Sequence, residues 1–237
     1  MLKVHAGLRC NEQEGDLAVS ELNVLVVEDE PLFRQLLGLA LQEDPALRVC
    51  GSFSNGEEVL EKLDRLHFDV ATLDIQLAGK LSGHDLGLIL RQQRPHVGVV
   101  LLSNYMEPAF IYALRQHART GWSYLLKHAD IDIDTVRRAV KGAARGEIVI
   151  DPMVVAAMEM RPDSGLSRLT ARELDVLRLM AEGYTNAAIA GQLHLTVKSV
   201  ENVINRLFHK LDIDRCGSTL QPRVVAVLRY LEEVRLR

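Results

Sequence analysis

The feature that most constrains the fold is an alternation of short apolar segments with amphipathic ones over the first 145 residues. The first of these segments, Leu-Asn-Val-Leu-Val-Val at 22–27, is a near-continuous apolar run typical of a strand buried on both faces. Four more short segments are also predicted as strands, and a segment with helical spacing follows each of the five. Five strands alternating with five helices predict an α/β domain, a doubly wound five-stranded parallel sheet with helices on both faces. The predicted strands are 22–27, 48–53, 68–73, 98–102 and 122–126, and the predicted helices are 32–41, 55–66, 85–93, 108–117 and 133–144.

The pattern changes after Gly146. Asp-Pro at 151–152 predicts the start of a short helix over 153–160, and the polar stretch 161–165, with its Pro and Gly, predicts a linker. Every later segment has helical spacing, and the capping-box pair Thr170 and Glu173 begins the first of them. The later helices are predicted from Ala171, over 186–194, from Val197 and over 222–234. The predicted divisions are a flexible tail (1–20), an α/β domain (21–145), a linker with a short helix (146–166) and a smaller all-α domain (167–237).

The net charge of −4 is unevenly distributed along the chain. Residues 167–237 contain 11 Lys and Arg against 8 Asp and Glu, a net charge of +3, so the total leaves −7 for the rest. The second domain is therefore better suited than the first to a polyanionic partner.

The sequence predicts a cytoplasmic protein without membrane association. No apolar run approaches the roughly 18–20 residues that a membrane span needs, and residues 1–20 lack the apolar core of a signal peptide. Cys10, Cys50 and Cys216 are widely spaced and form no C-x-x-C pair. They predict neither a disulfide framework nor a metal cage, which fits a reducing compartment.

Polar residues stand at the carboxyl ends of four predicted strands. Glu28 and Asp29 follow the first, Asp74 the third, Ser103 the fourth and Lys127 the fifth. Because ligands of open parallel sheets bind beyond these ends, we expect the five side chains to converge. Crowded carboxylates are typical of Mg²⁺ sites, and a carboxylate can attack phosphorus while a lysine neutralises charge and a hydroxyl donates to a phosphoryl oxygen.

The segments Val-Val-Glu-Asp-Glu at 26–30, Leu-Asp-Ile at 73–75, Leu-Leu-Ser at 101–103 and Tyr-Leu-Leu-Lys at 124–127 resemble the receiver domain of response regulators. The resemblance implies a flavodoxin-like fold and phosphoryl transfer from a sensor histidine kinase to Asp74. It also implies an aromatic switch residue, Tyr124, which turns inward when Ser103 engages the phosphoryl group. The further implied roles are Mg²⁺ binding by Glu28, Asp29, Asp74 and the backbone carbonyl of Gln76, and phosphoryl contacts from Ser103 and Lys127.

The third helix of the second domain has the clearest periodicity in the chain. Its apolar residues are three and four positions apart and predict one buried stripe, formed by Val197, Val200, Ile204, Leu207 and Leu211. The opposite side carries Lys, Asn and His side chains, which can donate hydrogen bonds to phosphates and base edges. Two short helices joined by a tight turn, the second with such a polar side, predict a helix-turn-helix.

The segments Leu-Thr-Ala-Arg-Glu-Leu at 169–174, Gly-Tyr-Thr-Asn at 183–186 and Thr-Val-Lys-Ser-Val-Glu-Asn at 196–202 resemble the LuxR/NarL-type DNA-binding domain. The resemblance implies a transcription regulator rather than an enzyme, which binds double-stranded promoter DNA as a homodimer when active. The apolar width of the last helix, 222–234, fits either a dimer contact or packing in the core. Candidate base contacts are Lys198, Asn202 and Asn205, and candidate phosphate contacts are Thr196, Arg206 and Lys210, with Ser199 as a further DNA-binding candidate.

Two alternatives to a phosphorylation-controlled regulator stay open. The first is a DNA-binding regulator that needs no phosphate, because Asn104 stands where receivers commonly have a small residue and the loop 76–83 is one residue longer than usual. The second is a phosphatase with an aspartate nucleophile. Such enzymes usually carry a second Asp two residues after the nucleophile, where this chain has Gln76, and the chain has no P-loop or G-x-S-x-G motif.

Overall fold

The structure is a computed structural model, and it describes residues 21–106, 120–128, 131–161, 164–213 and 220–236. One parallel sheet has the strand order β2-β1-β3-β4-β5-β6. Its strands are β1 (Leu22–Val27), β2 (Leu47–Phe53), β3 (Val70–Asp74), β4 (Gly98–Ser103), β5 (Trp122–Leu126) and β6 (Val149–Ile150). The predicted doubly wound α/β fold with a smaller helical domain is confirmed, but the described sheet has six strands instead of five. β6 was missed because two buried residues are too few to show a period.

The helices of the first domain cover the apolar faces of this sheet. They are α1 (Pro31–Gln42), α2 (Gly56–Lys62), α3 (Gly83–Gln93) and α4 (Ile133–Ala144). Asn55, Ser82 and Asp132 cap α2, α3 and α4, because each side chain accepts a backbone N–H from the first turn. The predicted helix 55–66 is shorter, since one 3₁₀ turn follows α2. The predicted helix 108–117 lies outside the described residues.

The linker differs most from its prediction. Its helix α5 (Pro152–Ala156) ends early, and β7 (Met158–Met160) follows it. β7 pairs antiparallel with β8 (Val234–Leu236), so the last helix, α9 (Pro222–Glu233), ends one residue before its predicted end. The predictions of a helix over 153–160 and of only helices after the linker were wrong. Three-residue strands have no recognisable period, and the partner of β7 lies far along the chain.

The second domain contains three further helices, α6 (Ala171–Ala181), α7 (Asn186–Gln192) and α8 (Val197–Lys210). The capping box predicted for Thr170 and Glu173 is present at the start of α6. The buried stripe of α8 is also present, except that Val197 is 43% exposed. Helical side chains point toward the N-terminus, so the first residue of a helix projects beyond the turns that pack in the core. Within the described residues, no helix is both long and apolar enough to cross a bilayer.

The two domains contact each other through α4 and the turn between α6 and α7. The guanidinium of Arg138 lies 4.1 Å from the centre of the Tyr184 ring, and its Nε donates to the carbonyl of Glu182 at 3.0 Å. Gly183 packs so closely on Val149 that a Cβ there would lie 2.6 Å from Val149 Cγ2. This contact uses the turn before α7 and leaves the polar side of α8 exposed.

Candidate functional site

Three carboxylates meet at one edge of the sheet because β1 and β3 are neighbouring buried strands that end there. One oxygen each of Glu28, Asp29 and Asp74 lie within 4.8 Å of one another. Glu28 and Asp74 are almost fully buried, and Asp29 is half-buried. Oxygen donors of this kind, with one side open to water, fit Mg²⁺. The backbone N–H of Gln76 donates to Oδ1 of Asp74 at 3.0 Å, which fixes the carboxylate.

Lys127 brings a buried positive charge to the same place. Its ammonium donates to Oε2 of Glu28 at 2.6 Å and to Oδ2 of Asp74 at 2.7 Å, and the side chain is only 7% exposed. The lysine follows β5, whose register next to β4 is held in part by the N–H of Lys127, which donates to the carbonyl of Ser103. The structure therefore brings four of the five expected side chains into one cluster, with Ser103 on the adjoining strand end.

The carboxyl of Glu28 is perturbed by its surroundings. Burial, which disfavours the charged form, raises the pKa of Glu28 to about 7, and the nearby charge of Asp74 adds to the rise while Lys127 opposes it. A carboxyl that titrates near neutral pH can lose its proton when a second cation joins the cluster. The cluster of carboxylate oxygens, and not this pKa, makes the group a candidate cation site.

Ser103 and Tyr124 share an acceptor in the loop after β4. The Ser103 hydroxyl donates to the carbonyl of Tyr105 at 2.8 Å, and the Tyr124 hydroxyl donates to the same oxygen at 2.7 Å. Both side chains are fully buried. Tyr124 is therefore turned inward in this structure, and the hydroxyl of Ser103 is directed at Tyr105.

Two residues of this site were not identified from the sequence. Phe33 lies with its ring centre 4.7 Å from the ammonium of Lys127. Arg34 donates to the backbone carbonyls of Glu28 and Asp29 and so fixes the turn that holds both carboxylates. Nothing in the spacing of the sequence marks Phe33. However, Pro31 begins α1 only two residues after Asp29, which indicates that the first helical turn borders the site.

The exposed side of α8 carries most of the predicted DNA-binding residues. The side chains of Thr196, Lys198, Asn202, Asn205 and Arg206 are exposed, and Ser199 is half-buried. Thr196 also caps the helix, because its hydroxyl accepts the N–H of Ser199 at 3.1 Å. Val197 was assigned to the buried stripe from the sequence, but in the structure it is exposed.

Lys210 occupies a different environment from the rest of that row. Its ammonium donates to Oε2 of Glu173 at 2.7 Å, and only 3% of the Glu173 side chain is exposed. Burial alone would raise the pKa of Glu173, but hydrogen bonds from Lys210 and Thr170 outweigh it and hold that pKa below its ordinary value. Lys210 therefore fastens α8 to α6.

Comparison with known proteins gives similarity along most of the chain. The family model for the response regulator receiver domain matches residues 24–141, and the model for bacterial regulatory proteins of the luxR family matches residues 167–215. The nitrate/nitrite response regulator protein NarP of Escherichia coli (strain K12) is 30% identical over 215 residues, which cover 89% of this chain and 94% of NarP. The transcriptional regulatory protein DegU of Brevibacillus brevis is 27% identical over 225 residues, which cover 86% of this chain and 92% of DegU.

A solved structure of two RcsB dimers bound to two parallel DNAs has a similar fold. Its TM-score is 0.50 at 19% identity, and the similarity covers 90% of this chain and 98% of that one. At this identity the likeness concerns the fold alone.

Proposed function

Because the chain belongs to the LuxR/NarL family of response regulators, we propose that phosphorylation of Asp74 by a sensor histidine kinase controls its binding to promoter DNA. The observation that carries the proposal is the contact of the Asp74 carboxylate with Lys127, beside Glu28 and Asp29. This arrangement supplies a nucleophilic oxygen, a cation and a place for a metal at one point. The kinase, the acceptor role and the dependence of DNA binding on it are parts of the proposal.

The transfer step is a displacement at phosphorus. A carboxylate oxygen of Asp74 attacks the phosphorus atom of a phosphohistidine, an O–P bond forms and the N–P bond breaks. The electron pair of the broken bond stays on the donor's imidazole nitrogen, which takes up a proton. Lys127 donates to the transferred oxygens and offsets their charge, and Ser103 exchanges the carbonyl of Tyr105 for a phosphoryl oxygen.

Mg²⁺ fits this site because every donor is an oxygen and two of them belong to buried carboxylates. Glu28, Asp29, Asp74 and the backbone carbonyl of Gln76 would hold it. When bound, the ion offsets the negative charge of the phosphoryl group. Arg34 keeps the first two carboxylates in position through their backbone carbonyls.

Phosphorylation is expected to tighten DNA binding by about 5-fold to 150-fold, the usual range for coupling between two sites. The measurement is fluorescence anisotropy on duplexes that the wild-type chain selects from a random library, with Mg²⁺ and with or without acetyl phosphate. Asp74→Asn keeps the size and hydrogen bonding of the side chain but lacks the nucleophilic carboxylate, so its affinity should not respond to the donor.

Intact-protein mass spectrometry on the same samples is the control for the modification. It should show one added phosphoryl group on the wild type and none on Asp74→Asn. Equal DNA affinity of the phosphorylated and unphosphorylated wild type would contradict the proposed control.

Contact between α8 and DNA is the second part of the proposal. The exposed row formed by Lys198, Asn202 and Asn205 is supported as the base-reading surface by its position on a helix-turn-helix and by side chains that match base edges. Thr196, Ser199, Arg206 and Lys210 lie at the margins of this row, where phosphate contacts occur. The pairing of Lys210 with Glu173 makes Lys210 the weakest of these candidates.

Two variants on α8 distinguish a residue that contacts DNA from a residue that stabilises the fold. Asn205→Ala is expected to weaken binding to a selected duplex by about 5-fold to 150-fold without changing thermal stability, because its side chain is exposed. Lys210→Met is expected to lower the free energy of unfolding by about 2 kcal/mol, because it removes the nearer of the two cations at the buried Glu173 carboxylate and leaves only Arg206, whose Nε lies 3.9 Å away. Circular dichroism and anisotropy measure the two effects.

The stability effect at Lys210 has a defined pH dependence. A carboxyl with a lowered folded-state pKa contributes stability above its unfolded value, about 4.3, and loses it as the pH falls through the folded value. The difference between wild type and Lys210→Met should therefore be full at pH 7 and shrink below about pH 4. A Lys210→Met protein that is as stable as the wild type but binds DNA poorly would assign Lys210 to the DNA instead.

A continuous route joins β5 to the second domain and supports a signal between them. The buried Asp151 accepts the N–H of Leu126 at 3.1 Å, and its own N–H donates to the carbonyl of Tyr124 at 2.8 Å. Asp151 also caps α5, which leads into β7 and from there to β8 and α9. A shift of β5 on phosphorylation would thus move the linker, a change between two packed states.

Regulation without phosphate is favoured by two observations and is the second candidate. The base-reading side of α8 is exposed while the domains are in contact, and Tyr124 already points inward. Under this alternative the unphosphorylated chain binds DNA at full affinity. The same anisotropy experiment decides, because equal affinities with and without acetyl phosphate support it.

We propose that the chain dimerises on DNA and that its two copies bind half-sites about one helical turn apart, the spacing that helix-turn-helix dimers use. The apolar side of α9 gives limited support, since Val224, Val227 and Leu231 are buried within the chain and Val225 and Leu228 are half-buried against the same core. Most of the apolar width that the sequence showed is therefore accounted for by core packing. Cytoplasmic location stays a prediction.

A further inference from the structure

The ammonium of Lys127 has neighbours of two kinds. Two are the carboxylates of Glu28 and Asp74, at 2.6 and 2.7 Å. The other is the ring of Phe33, with its centre at 4.7 Å. Phe33 is the third residue of α1 and is itself half-buried against the core. A contact between residues 94 positions apart, at the end of the sheet where Asp74 lies, is specific to the folded state.

The ring of Phe33 attracts the Lys127 ammonium without adding a negative charge, as a third carboxylate would. The face of the ring is electrostatically negative, so it attracts an ammonium and holds it in place, and the attraction grows where water is excluded. The ring carries no net charge and accepts no strong hydrogen bond. The N–H groups of Lys127 therefore stay available for oxygens on the Asp74 side.

We propose that Phe33 is a positioning residue for phosphoryl transfer, which holds the Lys127 ammonium beside Asp74 through a cation–π contact. The proposal rests on the proposed function of Asp74 as the acceptor. In the step itself Phe33 makes and breaks no bond. It restricts where Lys127 can lie while the O–P bond forms and the N–P bond breaks, so that less reorganisation is needed in the transition state.

Arg34 explains how the ring is kept there. Its guanidinium donates to the carbonyls of Glu28 and Asp29 and so ties the first turn of α1 to the end of β1. Phe33, the preceding residue, is thereby held toward Lys127, whereas Leu32 on the same turn is 64% exposed. Leu32 is consequently a matched control position, on the same helical turn but directed to solvent.

The test varies the electrons of the ring and keeps its shape. Phenylalanine analogues with one, three and five ring fluorines, introduced at position 33 alone, drain electron density from the ring face. The maximal rate of Asp74 phosphorylation by saturating acetyl phosphate and Mg²⁺ should fall stepwise along the series, to between about 2-fold and 30-fold below wild type. The rate of Phe33→Leu should fall by an amount in the same range, and the rate of Phe33→Tyr should stay within about 2-fold of wild type.

Two controls separate positioning from a general effect on the fold. Calorimetric Mg²⁺ affinity of the unphosphorylated protein should stay within about 2-fold in every variant, since the ring contacts the ammonium and not the carboxylate oxygens. Leu32→Ala should leave the rate unchanged. A flat rate along the fluorine series, or a fall in Mg²⁺ affinity that parallels the rate, overturns the role of Phe33. A wild-type chain that takes no phosphoryl group at Asp74 overturns the proposed function, and this inference with it.

Discussion

Replacing Lys127 with methionine is expected to lower the rate of phosphoryl transfer to Asp74 by about 100-fold or more, equivalent to about 2.7 kcal/mol. Lys127 is the cation that contacts Asp74 directly. Because both side chains are buried, water cannot replace the stabilisation that its charge gives to the phosphoryl group. Methionine keeps the length and apolar stem of the side chain and removes the charge alone. The measurement is the initial rate of phosphorylation with saturating acetyl phosphate and Mg²⁺, followed by intact-protein mass spectrometry.

Lys80→Met is the matched control, because Lys80 is an exposed lysine in the loop that follows β3. It should phosphorylate at the wild-type rate. A Lys127→Met protein within about 3-fold of wild type would contradict the role assigned to the lysine.

The same substitution has a consequence for stability in buffer without Mg²⁺. Lys127 lowers the pKa of Glu28, which already lies at about 7, so its removal raises that pKa further. A carboxyl with a raised folded-state pKa contributes its stability below the unfolded value, about 4.3, and loses it as the pH rises through the folded value. Lys127→Met should therefore be less stable at pH 9 than at pH 6, by a larger margin than the wild type.

The convergence of Glu28, Asp29, Asp74 and Lys127 could be predicted because it follows from topology. Strands buried on both faces are continuous apolar runs, so the sequence shows where they end. Once the strands are parallel neighbours, those ends must meet at one edge. No detail of side-chain conformation is needed for this step, and the structure has all four side chains in contact or within a few ångströms.

The details that depend on individual side chains could not be predicted in the same way. The hydroxyls of Ser103 and Tyr124 share the carbonyl of Tyr105, which is a choice among several acceptors that spacing does not express. The approach of Phe33 to Lys127 depends on how α1 leaves the sheet. The pairing of β7 with β8 joins two short segments without periodicity, and the domain contact at Arg138 depends on how two folded units meet.

Gly83→Ala is expected to lower the free energy of unfolding of the first domain by about 3 kcal/mol. A Cβ on Gly83 would lie 1.9 Å from the backbone oxygen of Asp74 and 2.7 Å from its carbonyl carbon. The N–H of Gly83 donates to the carbonyl of Ile75, so the first turn of α3 cannot move away without losing that bond. The clash involves backbone on both sides, and relief must displace either α3 or Asp74 itself.

Gly38→Ala provides the opposite result from the same added methyl group. Gly38 lies in α1, and among the described residues nothing other than the neighbouring backbone of its own helix lies within 4 Å of the site of a new Cβ. Alanine there should therefore stabilise the helix by about 0.5–1 kcal/mol. The single tryptophan, Trp122, is buried in β5, and its fluorescence reports the unfolding of the first domain in both variants. The rate of phosphorylation should fall in Gly83→Ala and stay at the wild-type value in Gly38→Ala, since only the first variant displaces Asp74. A Gly83→Ala protein with wild-type stability and rate would show that α3 does not constrain the acceptor.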